Sequence, residues 1–119
     1  MPKKNKILNQ NSNSGIYFRS NGNNWSLSNE FLDLGNGSYV ARNVNISKGL
    51  NEFKIADSNW SANCNFGYSS EKPVMLYHNY ILSKNCNENI KMMAHNDYCV
   101  DVFIHFTNYG VVMRIHSAK

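Results

Sequence analysis

Long apolar stretches are missing from this chain. Its longest runs are a handful of residues, whereas a bilayer-spanning helix needs roughly 20, so no membrane partner is expected. The basic start Met1-Pro-Lys-Lys-Asn-Lys-Ile-Leu-Asn has no apolar block of about 7 to 15 residues behind it, so it does not read as a secretory signal. The expected compartment is therefore either the cytoplasm or the exterior, reached without a cleaved leader. Charge is also scarce, at 17% of residues and a formal net of +4. Three of the twelve cations (Lys3, Lys4, Lys6) sit in the first six positions, which leaves a nearly neutral body. A dedicated nucleic-acid binder needs a strong cationic face, so no nucleic-acid partner is expected. Cysteines number three (Cys64, Cys86, Cys99), enough for one disulfide at most. Their spacing matches no zinc or redox motif, so no metal is expected and the thiols read as reduced structural groups. Finally, no stretch shows three turns of helical periodicity.

Asparagine is abundant instead, at 21 of 119 positions. With only two prolines such a composition could mark an aggregation-prone polar tract. Here, though, the Asn residues are interspersed with 15 aromatics, as in the loops and edges of a folded domain. The length suits a single domain with a single core. Residues 1–14 carry four Asn, two Ser and three Lys against two aliphatics, too little apolar surface to offset the entropy of ordering. They read as a flexible basic arm, with the domain over 15–119.

Turn signals recur at intervals of about 8 to 15 residues, with strand-like runs between them. In the clearest run, Tyr98, Val100, Val102, Ile104 and Phe106 alternate with Cys99, Asp101, Phe103 and His105, a period of two that places the first set on one face. A turn at 107–110 leads into 111–116, which predicts a C-terminal hairpin. Strands are also expected over 15–19, 38–46, 51–56, 75–82 and 89–94. About seven short antiparallel strands make an all-β protein, a β-sandwich.

Several spaced elements together resemble a family. They are Ile16-Tyr-Phe-Arg-Ser-Asn-Gly-Asn-Asn-Trp25, then Asp33-Leu-Gly-Asn-Gly-Ser-Tyr-Val-Ala41, then Lys48-Gly-Leu-Asn-Glu-Phe-Lys-Ile-Ala-Asp-Ser-Asn-Trp60, continued by Trp60-Ser-Ala-Asn-Cys-Asn-Phe-Gly67. This pattern resembles the starch- and glycogen-binding domains of carbohydrate-binding module family 48, above all the small N-terminal modules of bacterial pullulanases. It is more distantly similar to the glycogen-binding domain of the AMP-activated kinase β subunit. The resemblance covers residues 15–67 well and implies an Ig-like, early-set sandwich. It also implies that Trp25 and Trp60 stack on glucose rings of an α-glucan, that Lys54 bonds to hydroxyls, and that Asn87 and Asn89 lie near a further contact segment.

The residues themselves suit that chemistry. A sugar polymer presents apolar C–H faces rimmed by hydroxyls, so it calls for flat rings beside short hydrogen-bonding side chains. Trp25 and Trp60 are the only tryptophans, and polar loop residues flank each, Asn24 among them. The competing expectation is that Trp25 caps an end of the core. Lys54 alternates with Phe53 and Ile55, so its side chain is expected to point away from the core, on the face carrying Trp60.

Catalysis is not expected. The eight acids fall mostly at turns and strand exteriors, and glycoside hydrolysis needs two carboxyls within about 5 to 10 Å in a cleft. Cys99 and His105, on one strand, lie about 20 Å apart by strand rise. The alternative function is an Ig-like protein-interaction module, such as a secreted effector or secretion-system component that has lost sugar binding. It would work through its basic arm or through Phe103, His105 and Val112 on the C-terminal hairpin, with a protein partner or as a homodimer.

Overall fold

The structure, a computed structural model, describes residues 14–118. The expected arm lies outside that range apart from Ser14, whose hydroxyl donates to the Phe31 carbonyl and accepts the Ile16 N–H. The described residues form nine strands: β1 Tyr17–Ser20, β2 Leu32–Gly35, β3 Ser38–Ile46, β4 Gly49–Ala56, β5 Asn65–Gly67, β6 Tyr80–Lys84, β7 Ile90–Ala94, β8 Tyr98–Thr107 and β9 Gly110–Ser117. A single 3-10 turn, Asn21–Asn23, follows β1.

Alternation builds the longest ladder. Val100, Val102 and Ile104 of β8 are at most 2% exposed, while Asp101, Phe103 and His105 take the opposite face. β8 pairs with β9 on one edge and β3 on the other. The β3 register shifts between Ala41 and Val44, where Asn43 takes φ 54° and gives its N–H to the Asp101 carboxylate at 2.9 Å. Asn tolerates that left-handed conformation, so the bulge falls there. β2 and β3 are joined by Asn36-Gly37, both at positive φ, the geometry of a two-residue hairpin turn matching strand twist.

The other layer centres on β4. Phe53 pairs with both Ser20 of β1 and Ile90 of β7, and Ile55 pairs with both Phe18 of β1 and Phe66 of β5. β1 therefore lines one edge of β4, and β7 and β5 share the other. The path β1-β4-β5-β6-β9-β8-β3-β2 is continuous, with β5 and β6 joining the two layers. Between them sit Phe18, Phe53, Ile55, Ile90, Ile104, Met113 and Ile115, each no more than 1 or 2% exposed. The Phe18 and Phe53 rings stack at 4.4 Å, and each such side chain stabilises by about 1.5–3 kcal/mol relative to exposure.

The architecture is a β-sandwich of nine strands, not about seven. β2 is a four-residue edge strand running straight into its turn. β5 is three residues whose Asn and Gly read as turn. The expected strand over 75–82 begins only at Tyr80, because Tyr77 takes φ 64° and gives its N–H to the Ile115 carbonyl across the layer. On the outer face of the β3-β8-β9 layer, Phe103 and Val112 are half-buried and His105 is exposed. His105 pairs with Val112, and its Nδ1 lies 2.7 Å from the Ser38 hydroxyl.

Candidate functional site

β1 ends in Arg19 and Ser20, and Arg19 faces away from the core, opposite Lys54 of β4. Two loops converge above this pair. The first, 21–29, is held by the Asn23 side chain. Its Oδ1 accepts the N–H of Ser20 and Ser26, while its Nδ2 donates to the Phe18 carbonyl and the Asn29 Oδ1, all at 2.9–3.2 Å. With those bonds fixed the chain doubles back, and Trp25 gives its N–H to the Ser20 carbonyl at 2.7 Å. The second loop, 57–64, is held by Asp57, whose carboxylate accepts the N–H of Asn59 and Ser61 at 3.2 and 2.9 Å. Its own N–H reaches the Cys64 carbonyl at 3.0 Å. Asn and Asp are the residues whose short side chains satisfy backbone donors in this way.

Both tryptophans emerge from these loops at positive φ, Trp25 at 56° and Trp60 at 55°, and Asn24 before Trp25 is at 60°. For a bulky residue that conformation is an outlier costing about 1–3 kcal/mol, which persists only where the surroundings impose it. The ring centroids are 6.2 Å apart, with planes inclined by 57°. Trp60 is 37% exposed and Trp25 half-buried, and neither belongs to the core cluster. Trp25 therefore does not cap the core; its ring rests beside Trp60.

Arg19 ties the two loops together. Its guanidinium lies 3.9 Å from the Trp60 ring centroid. Its Nε donates to the Trp25 carbonyl at 2.8 Å, and its Nη1 to the carbonyls of Asp57 and Ser58 at 3.0 and 3.2 Å. At 9% exposure it is a buried cation solvated by backbone oxygens and capped by an aromatic face. Sequence reasoning did not single out Arg19, Asn23 or Asp57. The available signal was an arginine on the non-core register of a strand leading directly into a Trp loop.

Lys54 lies on the outer face, as strand alternation requires, but it is not presented to solvent. It is 6% exposed and donates to the Cys86 carbonyl. The turn after β6 folds back over β5 so closely that a side chain at Gly67 would collide with the Glu88 carbonyl, and the same turn roofs Lys54. Burial pushes the Lys54 ammonium below the usual lysine range. Hydrogen bonds from the Ser61 hydroxyl and from the backbone N–H groups of Ser61, Asn59 and Trp60 hold the Asp57 carboxyl below the usual range.

The structure thus gathers Asn24, Trp25 and Trp60, with Asn24 exposed at the rim. Asn87 is exposed on the turn over Lys54. Asn89 is half-buried and gives its Nδ2 to Glu52 Oε1 at 2.9 Å. It faces a different feature, an open groove of about 650 Å³ that also takes in Glu52, Glu71, Glu88 and Lys91. The remaining acids serve turns. Glu30, Asp33, Asp97 and Asp101 accept backbone N–H groups, as Asp57 does. Among the described residues no group of His, Cys, Asp and Glu is arranged to hold a metal, and all three cysteines are free thiols.

No protein-family model matches the sequence, and no curated protein matches it. Among solved structures it is similar to AmyP-SBD, a starch-binding domain described in a ligand-induced structure. The TM-score is 0.65 over 87% of this chain and 72% of that one. The chain shares its fold with a starch-binding domain. At 13% identity the likeness is one of fold alone and does not extend to membership of family 48.

Proposed function

We propose that the chain is a non-catalytic module that binds α-linked glucan, such as starch, glycogen or malto-oligosaccharide, on the Trp25–Trp60 platform, in the manner of family 48. The observation that carries this reading is the pair of tryptophans held side by side at positive φ outside the core. Packing does not require that geometry, and loops held by Asn23, Asp57 and Arg19 suit presentation of the rings. The 57° inclination favours a curved chain over a flat one. Successive rings of an α-1,4 glucan tilt against each other, whereas a β-1,4 glucan is a ribbon. The starch-binding domain of the same architecture supports the sugar class.

In this reading Trp25 and Trp60 take the apolar faces of neighbouring glucose units, and the exposed amides of Asn24 and Asn87 supply hydrogen bonds. Lys54 acts indirectly, by ordering the turn that carries Asn87. Two rings and a few hydrogen bonds should give a dissociation constant in the micromolar to millimolar range, roughly −4 to −8 kcal/mol. Calorimetric titration with maltoheptaose, against cellohexaose as control, tests it. Heat is expected from the first alone, and it should vanish in Trp60→Ala. Absence of heat with maltoheptaose, or equal binding of both sugars, would refute the proposal.

A further inference from the structure

Another aromatic ring is presented at the tip of the C-terminal hairpin. Tyr109 is 90% exposed, the most exposed of the large hydrophobic side chains. Its backbone is nonetheless fixed: the Thr107 hydroxyl accepts the Tyr109 N–H at 3.0 Å and donates to the Gly110 carbonyl at 2.8 Å. Gly110, at φ 139°, takes a backbone conformation that L side chains rarely adopt, and its backbone lies against Ile81 of β6. Beside the ring lies a groove of about 710 Å³ bordered by Ile81, Ser83, Lys84, Asn108 and Asn63. Ile81 is itself 59% exposed.

The polar side chains here differ from those of the Trp loops. Asn23 and Asp57 are consumed in holding backbone, whereas Asn63, Ser83, Lys84 and Asn108 make no side-chain hydrogen bond among the described residues. A rigid exposed ring, an aliphatic floor and uncommitted hydroxyl and amide groups are what a neutral, hydroxyl-rich chain can use. Asn63 sits three residues after Trp60, so the 57–64 loop contributes both to the platform and to the border of the groove.

We infer that Tyr109 and this groove form a second contact for α-glucan, which engages a separate stretch of the polymer. The inference rests on the glucan reading of the Trp platform. Two contacts on one polymer raise apparent affinity by effective concentration, while a short oligosaccharide meets each separately.

A residue-resolved NMR titration of the full chain with maltoheptaose separates the two claims. The expected result is two independently saturating sets of shifts, one at the Trp25 and Trp60 indoles and one at Asn63, Lys84, Asn108 and Tyr109. Tyr109→Ala should abolish the second set and leave the first. It should also weaken retention on insoluble starch by about tenfold or more. Shifts at the indoles alone overturn the second contact and leave the platform standing; shifts at the hairpin alone do the reverse, and shifts at neither remove both. Hairpin shifts that follow protein concentration without sugar would assign the groove to a second copy of the chain and overturn the inference.

Discussion

Trp25 and Trp60 stand where backbone strain and ring exposure coincide. Because neither ring is part of the core, Trp60→Asn should remove binding at a stability cost of no more than about 2 kcal/mol, the lost ring over Arg19 being partly offset because Asn accepts positive φ more readily. Thermal unfolding beside sugar titration would check this; a loss of several kcal/mol would make Trp60 a structural residue. Arg19 should behave oppositely. Arg19→Ala leaves the carbonyls of Trp25, Asp57 and Ser58 without their donor and should cost about 2–4 kcal/mol. Arg19→Lys should not rescue it, because an ammonium cannot stack on Trp60 while serving three carbonyls. Asp57 adds a pH dependence. Its folded carboxyl lies below the ordinary 3.8, so its contribution to stability is present above that value and is lost as pH falls through the lowered folded value. Trp fluorescence should therefore report loosening of the 57–64 loop on strong acidification. Asp57→Asn should remove that component of the profile.

At the scale of elements, the turn after β6 is the part with the narrowest tolerance. Gly67→Ala would drive a methyl into the Glu88 carbonyl, with a cost of about 1–3 kcal/mol from overpacking and displacement of the roof over Lys54. Lys54 has a definite sign: with its folded pKa lowered from 10.5, the unfolded chain binds the extra proton between the two values. Its contribution therefore makes stability rise with pH up to 10.5. Denaturant melts of wild type and Lys54→Met across that window should show the slope only in wild type. The same turn explains what sequence could not convey. Period-two alternation made β8, its hairpin with β9, and β3 and β4 readable. β5 is three residues stabilised by long-range pairing on both sides, and nothing local in Asn65-Phe-Gly67 announces a strand. The outward direction of Lys54 was legible from the alternation of Phe53 and Ile55. Its burial was not, because the cover comes from residues more than thirty positions away.

Across the whole molecule, the β-sandwich could be read from turn spacing and alternation, whereas the site is assembled from three separated segments. The two tryptophans and Asn24 were legible as loop residues with suitable chemistry. Arg19, which joins their loops, was not, since its partners are carbonyls that carry no residue identity. Asn89 illustrates the opposite error: near in sequence to Asn87, it turns instead to Glu52. The nearly neutral body and the neutral ligand imply that glucan affinity should change less than about twofold between 50 and 500 mM salt, unlike phosphate-dependent binding. A steep salt dependence would point to a charged ligand. The most direct measurement is a crystal of the chain soaked with a malto-oligosaccharide and compared with the free form. Glucose units lying across both Trp25 and Trp60, with the loops unmoved, are the expected result; sugar bound elsewhere while both rings stay bare would contradict the platform.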